Sequence, residues 1–260
     1  SILVIGAGGL GAPALQYLAA AGVGRIGIMD GDVVEMSNLH RQPLYGVADI
    51  GRPKAVAAAD RLRSLNRDIR CDTVAAHATV ENVDALVADY DVTLECTDNL
   101  RTKFLVNDAV VRAGRPAFFA SVYQYEGQLQ AYLPRPDWPC LRCVWPEAPR
   151  DGMVGNCAEA GVLGPVPGTL GAMQAMQALQ AILGLGPEPA RGLVVVDLLS
   201  LTTRSISATR RADCDHDAFA GPSASPEEPV EVSFASLTEA RAAACELVDI
   251  REAGERRFKQ

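Results

Sequence analysis

The sequence carries no internal repeat, no low-complexity tract and no excess of basic charge. With 24 Lys and Arg against 32 Asp and Glu, the formal net charge is -8 and the pI is near 5.0. Chain-wide attraction to phosphate backbones is therefore lacking, and nucleic acid is not expected as a partner. A disulfide framework is lacking too. The seven cysteines are an odd number, Cys140 and Cys143 form a Cys-x-x-Cys pair, and no signal peptide precedes them. That usage fits a reducing compartment where thiols serve metal or chemistry, so the cytoplasm is the expected location. Two uncharged stretches, Ile2 to Gly24 and Ala160 to Pro187, are long enough by count to span a bilayer. Gly6, Gly8, Gly9, Gly11 and Pro13 interrupt the first; Pro165, Pro167, Gln174, Gln177 and Gln180 interrupt the second. Neither reads as a membrane span.

What is present is the composition of a globular chain: 260 residues, 48% apolar and 22% charged, enough to bury one large core. β-Branched runs alternate with helical patterns in the first half. Strands are expected at Ile2 to Ile5, Arg25 to Asp30, Arg70 to Val74, Val92 to Glu95 and Pro116 to Ala120. Helices are expected from about Ala12, Pro53, Asn82 and Asn99. This rhythm implies parallel βαβ units with helices on both faces of the sheet. From Gly127 onward, Gln128 to Leu133, Leu193 to Leu199 and Ser205 to Thr209 read as antiparallel strands. A helix from about Thr169 to Leu183 lies between them, and its lack of charge implies burial on most sides. The expected fold is a Rossmann-like doubly wound α/β domain over 1–219, its mainly parallel sheet extended by antiparallel strands. Pro222, Pro226 and Pro229 mark a linker at 220–229, and 230–260 reads as the start of a second domain that is cut short. Because Ser1 already lies inside a strand pattern, the sequence reads as a piece of a longer chain.

Ligands of open α/β sheets bind beyond the carboxyl ends of the strands, so residues just after each strand carry most weight. Gly6-Ala-Gly-Gly-Leu-Gly11 follows a strand, opens a helix and precedes Asp30 at the end of the next strand. Glycines let the backbone approach phosphates, the helix N-terminus offers free N–H groups, and a carboxylate after the second strand accepts from ribose hydroxyls. The turn alone leaves NAD, FAD and ATP open. The following loop, with Asn38, Arg41 and then Lys54, supplies donors for a triphosphate. Asp98, after the fourth strand, stands where it could hold Mg²⁺ or cap the helix beginning at Asn99.

With these residues in hand, the chain resembles the ThiF/MoeB/HesA family, bacterial relatives of ubiquitin-activating enzymes. The matching segments are Gly6 to Gly11, Asp30 with Ser37-Asn-Leu-His-Arg-Gln42, Lys54, Cys96 to Asn99, Cys140 to Cys143, and Cys157 to Gly164 running into Gly171 to Gln180. The resemblance implies a homodimer that uses MgATP to adenylate the C-terminal glycine of a small ubiquitin-like sulfur-carrier protein ending in Gly-Gly. It implies Asp30 on the ribose, Asn38, Arg41 and Lys54 on the phosphates, and Asp98 on Mg²⁺. An N-terminal helix whose Arg enters the partner's ATP site belongs to the family and is not in this sequence.

Cys140 and Cys143 are half of a tetrahedral zinc site. The family supplies the second half as Cys-x-x-Cys, whereas this chain has Cys214-Asp-His-Asp217, which leaves His216 or Asp217 as the fourth ligand. Cys157, in a glycine-rich crossover, is either a sulfur-handling thiol or a loop residue. Cys71, Cys96 and Cys245 read as small buried hydrophobes. His40 and His77 read as polar surface. Val232 to Glu252 looks like the opening of a rhodanese domain, which makes that domain, or a cysteine desulfurase, the expected sulfur donor. Two other functions compete: an NAD-binding oxidoreductase and a non-catalytic scaffold that binds a ubiquitin-like protein. The first would need an acid/base His or Lys, and between Gly127 and Phe219 there is only His216, already a candidate zinc ligand; the second would not keep Arg41, Lys54 and Asp98 together.

Overall fold

Ile2–Ile5 (β1) is apolar throughout and buried on both faces, the pattern of a central parallel strand. It pairs in parallel with Arg25–Met29 (β2) on one side and Val92–Glu95 (β4) on the other. The computed structural model describes residues 1–146, 161–214 and 216. The chain divides into two compact units, Ser1–Ala224 and Ser225–Gln260. All described residues belong to the first; the expected linker and second domain lie outside them.

Arg70–Val74 (β3) flanks β2, and Ala117–Tyr123 (β5) flanks β4, both in parallel. Glu126–Tyr132 (β6), Gly192–Asp197 (β7) and Thr202–Ser207 (β8) then add antiparallel neighbours. The resulting eight-stranded order is β3-β2-β1-β4-β5-β6-β7-β8. Chain connections run one way from β1 and the other way from β4, so a crevice opens between their carboxyl ends. The doubly wound parallel sheet with antiparallel extension is therefore as expected.

Gly11–Ala20 (α1), Lys54–Leu65 (α2) and Pro165–Leu183 (α6) cover one face of the sheet, where Ile2, Val4, Leu15, Leu62 and Leu170 share a core. Val83–Ala88 (α3), Leu100–Ala113 (α4) and Leu141–Val144 (α5) cover the other, with Leu3, Ile5, Val110 and Trp138. Alternate residues of β1 thus feed opposite cores. The Trp138 indole, fully buried, donates from Nε1 to the Ala131 carbonyl at 2.9 Å. Among the described residues no helix is long and apolar enough to cross a membrane.

Two expectations about helices need correction. α6 begins at Pro165, earlier than Thr169, because proline is tolerated in a first helical turn where its missing N–H is no loss. Nor is α6 buried on most sides: Val166, Leu170, Gln174 and Ala178 face the protein, while Met176 and Leu183 are exposed. The helix lies on one face of a sheet and can bury one stripe.

Gln174 is the polar exception in that stripe. Its Nε2 donates to the Glu95 carbonyl at 2.9 Å and the Phe118 carbonyl at 3.0 Å, and its Oε1 accepts from Cys96 Sγ at 3.3 Å. β4 ends at Glu95 while β5 begins at Ala117, and the amide bridges a carbonyl from each. Gln174→Leu keeps the volume but strands both carbonyls in a dry interface. Urea denaturation should show a loss of about 1–3 kcal/mol with an unchanged m-value; a change below 0.5 kcal/mol, on the order of an ordinary surface substitution, would refute this account.

Candidate nucleotide cleft and cysteine cluster

The crevice between β1 and β4 is a cleft of about 630 Å³. Gly6, Gly8, Gly9, Asp30, Asn38, Arg41, Lys54 and Asp98 all line it. Sequence reasoning had selected each of these, and the fold brings them to one place. Gly6 sits at φ +92°, and a Cβ there would lie 2.8 Å from the Cys96 carbonyl carbon. At Gly11 a Cβ would lie 1.9 Å from the Gly6 carbonyl oxygen, so the turn closes only without side chains at both ends. α1 then starts with no side-chain cap and no acidic residue in its first turn.

Asp30, half-buried, accepts from the Ala7 N–H at 2.7 Å and the Asp32 N–H at 2.8 Å, one on each carboxylate oxygen. Burial pushes its carboxyl up, while the Ala7 N–H and the Lys54 ammonium oppose that shift. Each oxygen keeps a lone pair, so acceptor capacity remains for a hydroxyl. Lys54 is 6% exposed and Nζ contacts Asp32 Oδ2 at 2.8 Å. A buried ammonium needs such a partner. Arg41 donates to the Ser37 carbonyl at 3.2 Å, and its guanidinium lies 2.8 Å from His40 Nε2. Asn38 is buried beneath it.

Asp98 is exposed and projects from the loop after β4. It is not the helix cap: Asn99 is, its side chain accepting from the Thr102 N–H at 3.1 Å. The alternative of Asp98 as an N-cap is corrected, because Asn99 alone has the extended backbone just before the first helical residue.

Several residues of the cleft went unread in the sequence. Asp32 pairs with Lys54, and Gln42 is buried at the wall with an Oε1 that finds no donor among the described residues. Tyr45, buried, donates to the Ala7 carbonyl at 2.7 Å, and its hydroxyl is pushed up by burial. His77 was expected as mere surface. It is exposed, yet its ring lies where a Gly31 side chain would go and its Nε2 is 3.8 Å from Asp32 Oδ1, on the rim of the cleft. Asp32 and Gln42 had a signal, the first in the same loop as Asp30 and the second closing the Ser37 to Gln42 segment.

Outside the cleft lining, Cys140, Cys143, Cys214 and His216 gather with all ligand atoms within 4.8 Å of one another. Cys140 Sγ is 3.9 Å from Cys143 Sγ and 3.7 Å from Cys214 Sγ, and Cys143 Sγ is 3.4 Å from His216 Nε2. Tetrahedral Zn–S bonds of about 2.3 Å place thiolates ~3.8 Å apart, so this donor set fits a metal ion. Burial and the neighbouring Cys143 push the Cys140 thiol up, an arrangement that a cation would relieve. α4 holds the cluster in place. Asn107 Oδ1 accepts from the Leu141 N–H at 2.8 Å, and buried Asp108 takes a two-pronged contact from Arg142 at 2.7 Å each. Of the two fourth-ligand alternatives, His216 is in the cluster and Asp217 lies outside the described residues; Cys157, the candidate sulfur-handling thiol, lies outside them too. Cys71 and Cys96 are buried as expected.

A glycine turn, a carboxylate after β2 and cations at the switch point of a doubly wound sheet make up a nucleotide-binding α/β fold. The ThiF family model matches residues 1–216, and the chain belongs to that family. It is 41% identical over 238 residues to a sulfur carrier protein adenylyltransferase of Thermus thermophilus, covering 85% of this chain and 88% of that one. To the adenylyltransferase and sulfurtransferase MOCS3 of Sus scrofa it is 44% identical over 256 residues, and it spans 56% of that protein's length. Among solved structures it shares a TM-score of 0.71 at 20% identity with the microcin C7 biosynthetic enzyme MccB in complex with N-formylated MccA, over 85% of this chain and 67% of that one. At that identity the shared feature is the fold.

Gly6→Ala should separate steric from conformational cost when compared with Gly22→Ala. Gly22 also has positive φ, +81°, but open space around it. Gly22→Ala should cost about 1–2 kcal/mol by denaturation and leave nucleotide affinity intact. Gly6→Ala should cost more and weaken nucleotide binding by titration calorimetry; equal costs would show that the contact with Cys96 yields freely.

Proposed function

We propose that this chain adenylates the C-terminal glycine of a small ubiquitin-like sulfur-carrier protein with MgATP, a step towards the carrier's thiocarboxylate. The observation that carries it is the joint placement of Lys54, Arg41, Asn38 and Asp98 around the glycine turn. A dehydrogenase has no use for that set. The carrier's terminal carboxylate attacks the α-phosphorus, the bond to the bridging oxygen breaks, and pyrophosphate leaves with its electron pair. No proton need move and no side chain need become covalent, so the task of the protein is positioning and charge stabilisation.

In this reading Asp30 accepts from the ribose, and Asn38, Arg41 and Lys54 hold the phosphates. The buried Lys54 exchanges Asp32 for phosphate oxygen. Asp98, exposed in the same cleft, would hold Mg²⁺, which would neutralise the triphosphate and the charge that builds on the leaving group. The names of the Thermus and Sus scrofa relatives support the reaction class. In the sulfur step Cys157 captures the carrier's acyl group as a thioester with release of AMP; a persulfide of a cysteine desulfurase, or of the rhodanese domain expected after 230, displaces Cys157 to give an acyl disulfide, and a further thiol cleaves that to the thiocarboxylate and a disulfide. Homodimer assembly and a cytoplasmic location belong to the same proposal.

Calorimetry should show MgATP binding and no NADH binding. Asp98→Ala should abolish carrier-dependent ATP–pyrophosphate exchange while circular dichroism and melting stay near wild type, since metal stabilisation is worth several kcal/mol. Tight NADH binding without ATP binding would sink the proposal.

The cysteine cluster is proposed as a structural zinc site of the Cys₃His kind, with Cys140, Cys143, Cys214 and His216 as ligands. Elemental analysis of protein purified without chelator should find about one zinc per chain. His216→Ala should release it to chelators faster, because three thiolates leave the fourth position open to solvent. Zinc-free protein with normal stability would overturn the assignment.

A further inference from the structure

Three residues around the Asp98 loop have no part in the chemistry above. Glu95 ends β4 fully buried, Lys103 stands on the first turn of α4 at 4% exposure, and Thr97 lies between them. Burying an ion pair is a poor route to stability, since apolar residues of the same volume often serve as well or better. The partners of the pair point to a different role. Lys103 Nζ donates to Glu95 Oε2, to the Thr97 carbonyl at 2.7 Å and to the Ala120 carbonyl at 2.6 Å. All three ammonium protons are thereby used. Glu95 Oε1 accepts from the Thr97 N–H at 2.9 Å and from the Thr97 hydroxyl. Thr97 is therefore held at its amide, its hydroxyl and its carbonyl by one buried pair.

On the far side of Asp98 the chain is fixed again. Asn99 caps α4, and its carbonyl accepts from the Lys103 N–H at 3.1 Å. Asp98 is the exposed residue between two anchored neighbours. The preceding residue, Cys96, is in turn in backbone contact with Gly6, so the loop is registered against the phosphate turn. The Glu95 carboxylate also cancels the ammonium charge, which would otherwise repel a cation arriving at Asp98. Burial pushes the Glu95 carboxyl up, and the Lys103 charge opposes this.

We infer that the Glu95–Lys103 pair is a positioning device for the Asp98 carboxylate, presenting it pre-ordered to the divalent cation that accompanies the nucleotide. The inference rests on the reading of Asp98 as the metal ligand. An ordered ligand loses little freedom on binding metal, and removing the groups that order a ligand commonly lowers metal affinity 10–100-fold, roughly.

The test is Mn²⁺ affinity, read from the free-ion electron paramagnetic resonance signal in the presence of α,β-methylene ATP, so that no turnover is needed. A Glu95→Gln/Lys103→Met double variant avoids leaving either charge alone in the core. It should bind Mn²⁺ on the order of tenfold more weakly than wild type. Thr97→Val, which keeps the ion pair, should lose about threefold. Wild-type affinity in the folded double variant would overturn the inference. Should the double variant fail to fold, wild-type affinity in Thr97→Val would do so. Asp98→Ala distinguishes the two levels: weak binding there with wild-type binding in the pair variants refutes the pair alone. Wild-type binding in Asp98→Ala removes the metal-ligand reading, and this inference with it.

Discussion

Everything at the cleft depends on two strands ending side by side with only backbone between them. At the carboxyl ends of β1 and β4, Gly6 meets the peptide of Cys96 at a separation that leaves no room for a Cβ. Because of that contact, the phosphate-facing turn and the Asp98 loop have a fixed register. The same crowding recurs at Gly11, against the Gly6 carbonyl. Two glycines thus decide whether cations, carboxylates and backbone N–H groups converge on one volume or stay on separate loops.

The electrostatics of the cleft follow from its burial. Lys54 is an ammonium with almost no access to water, held by Asp32, and Asp30 spends its carboxylate on two backbone N–H groups. These pairs keep the cleft electrically satisfied while leaving groups that an anionic ligand can recruit. In the proposed reading, a polyphosphate, with far more charge than Asp32, would take its place on Lys54. The arrangement is one of stored contacts that exchange partners, which suits a reaction whose barrier is dominated by charge.

How much of this was legible in the sequence depended on whether the determinant was local. The Gly6 to Gly11 turn, Asp30 and Lys54 sit on strand ends and helix starts, where pattern and chemistry coincide, and the parallel sheet with its antiparallel extension followed from the βαβ rhythm and the change of pattern after Gly127, though the strand order did not. Asp98 was found, but the competing cap reading was settled only by the extended backbone of Asn99. What escaped were pairings across distance. Glu95 and Lys103 belong to different elements, and no residue spacing announces that they meet under Thr97. His77 looked like surface because nothing in the sequence says that Gly31 leaves space for its ring. The exposed side of α6 was missed for a related reason, since absence of charge in a helix does not say how many faces the fold will cover.

α4 joins the two halves of the proposed machinery. Its first turn holds Asn99 and Lys103, which fix the Asp98 loop. Asn107 and Asp108, four and five residues further on, grip α5 through the Leu141 N–H and the Arg142 guanidinium. At 1.5 Å per residue this separation is roughly 6–8 Å along the axis. The cysteine cluster is therefore built on the same rigid rod that orders the cleft carboxylate, and the packing core of the sheet's α4 face takes in both that rod and the cluster's Cys140, Cys143 and Cys214. A metal bound to Cys140, Cys143, Cys214 and His216 would clamp the end of the chain from α5 to the residues after β8 onto that rod. The physical reason to keep such a cluster in an enzyme whose chemistry happens elsewhere is then mechanical: it closes the open side of an antiparallel extension that has no long helix of its own on that face among the described residues.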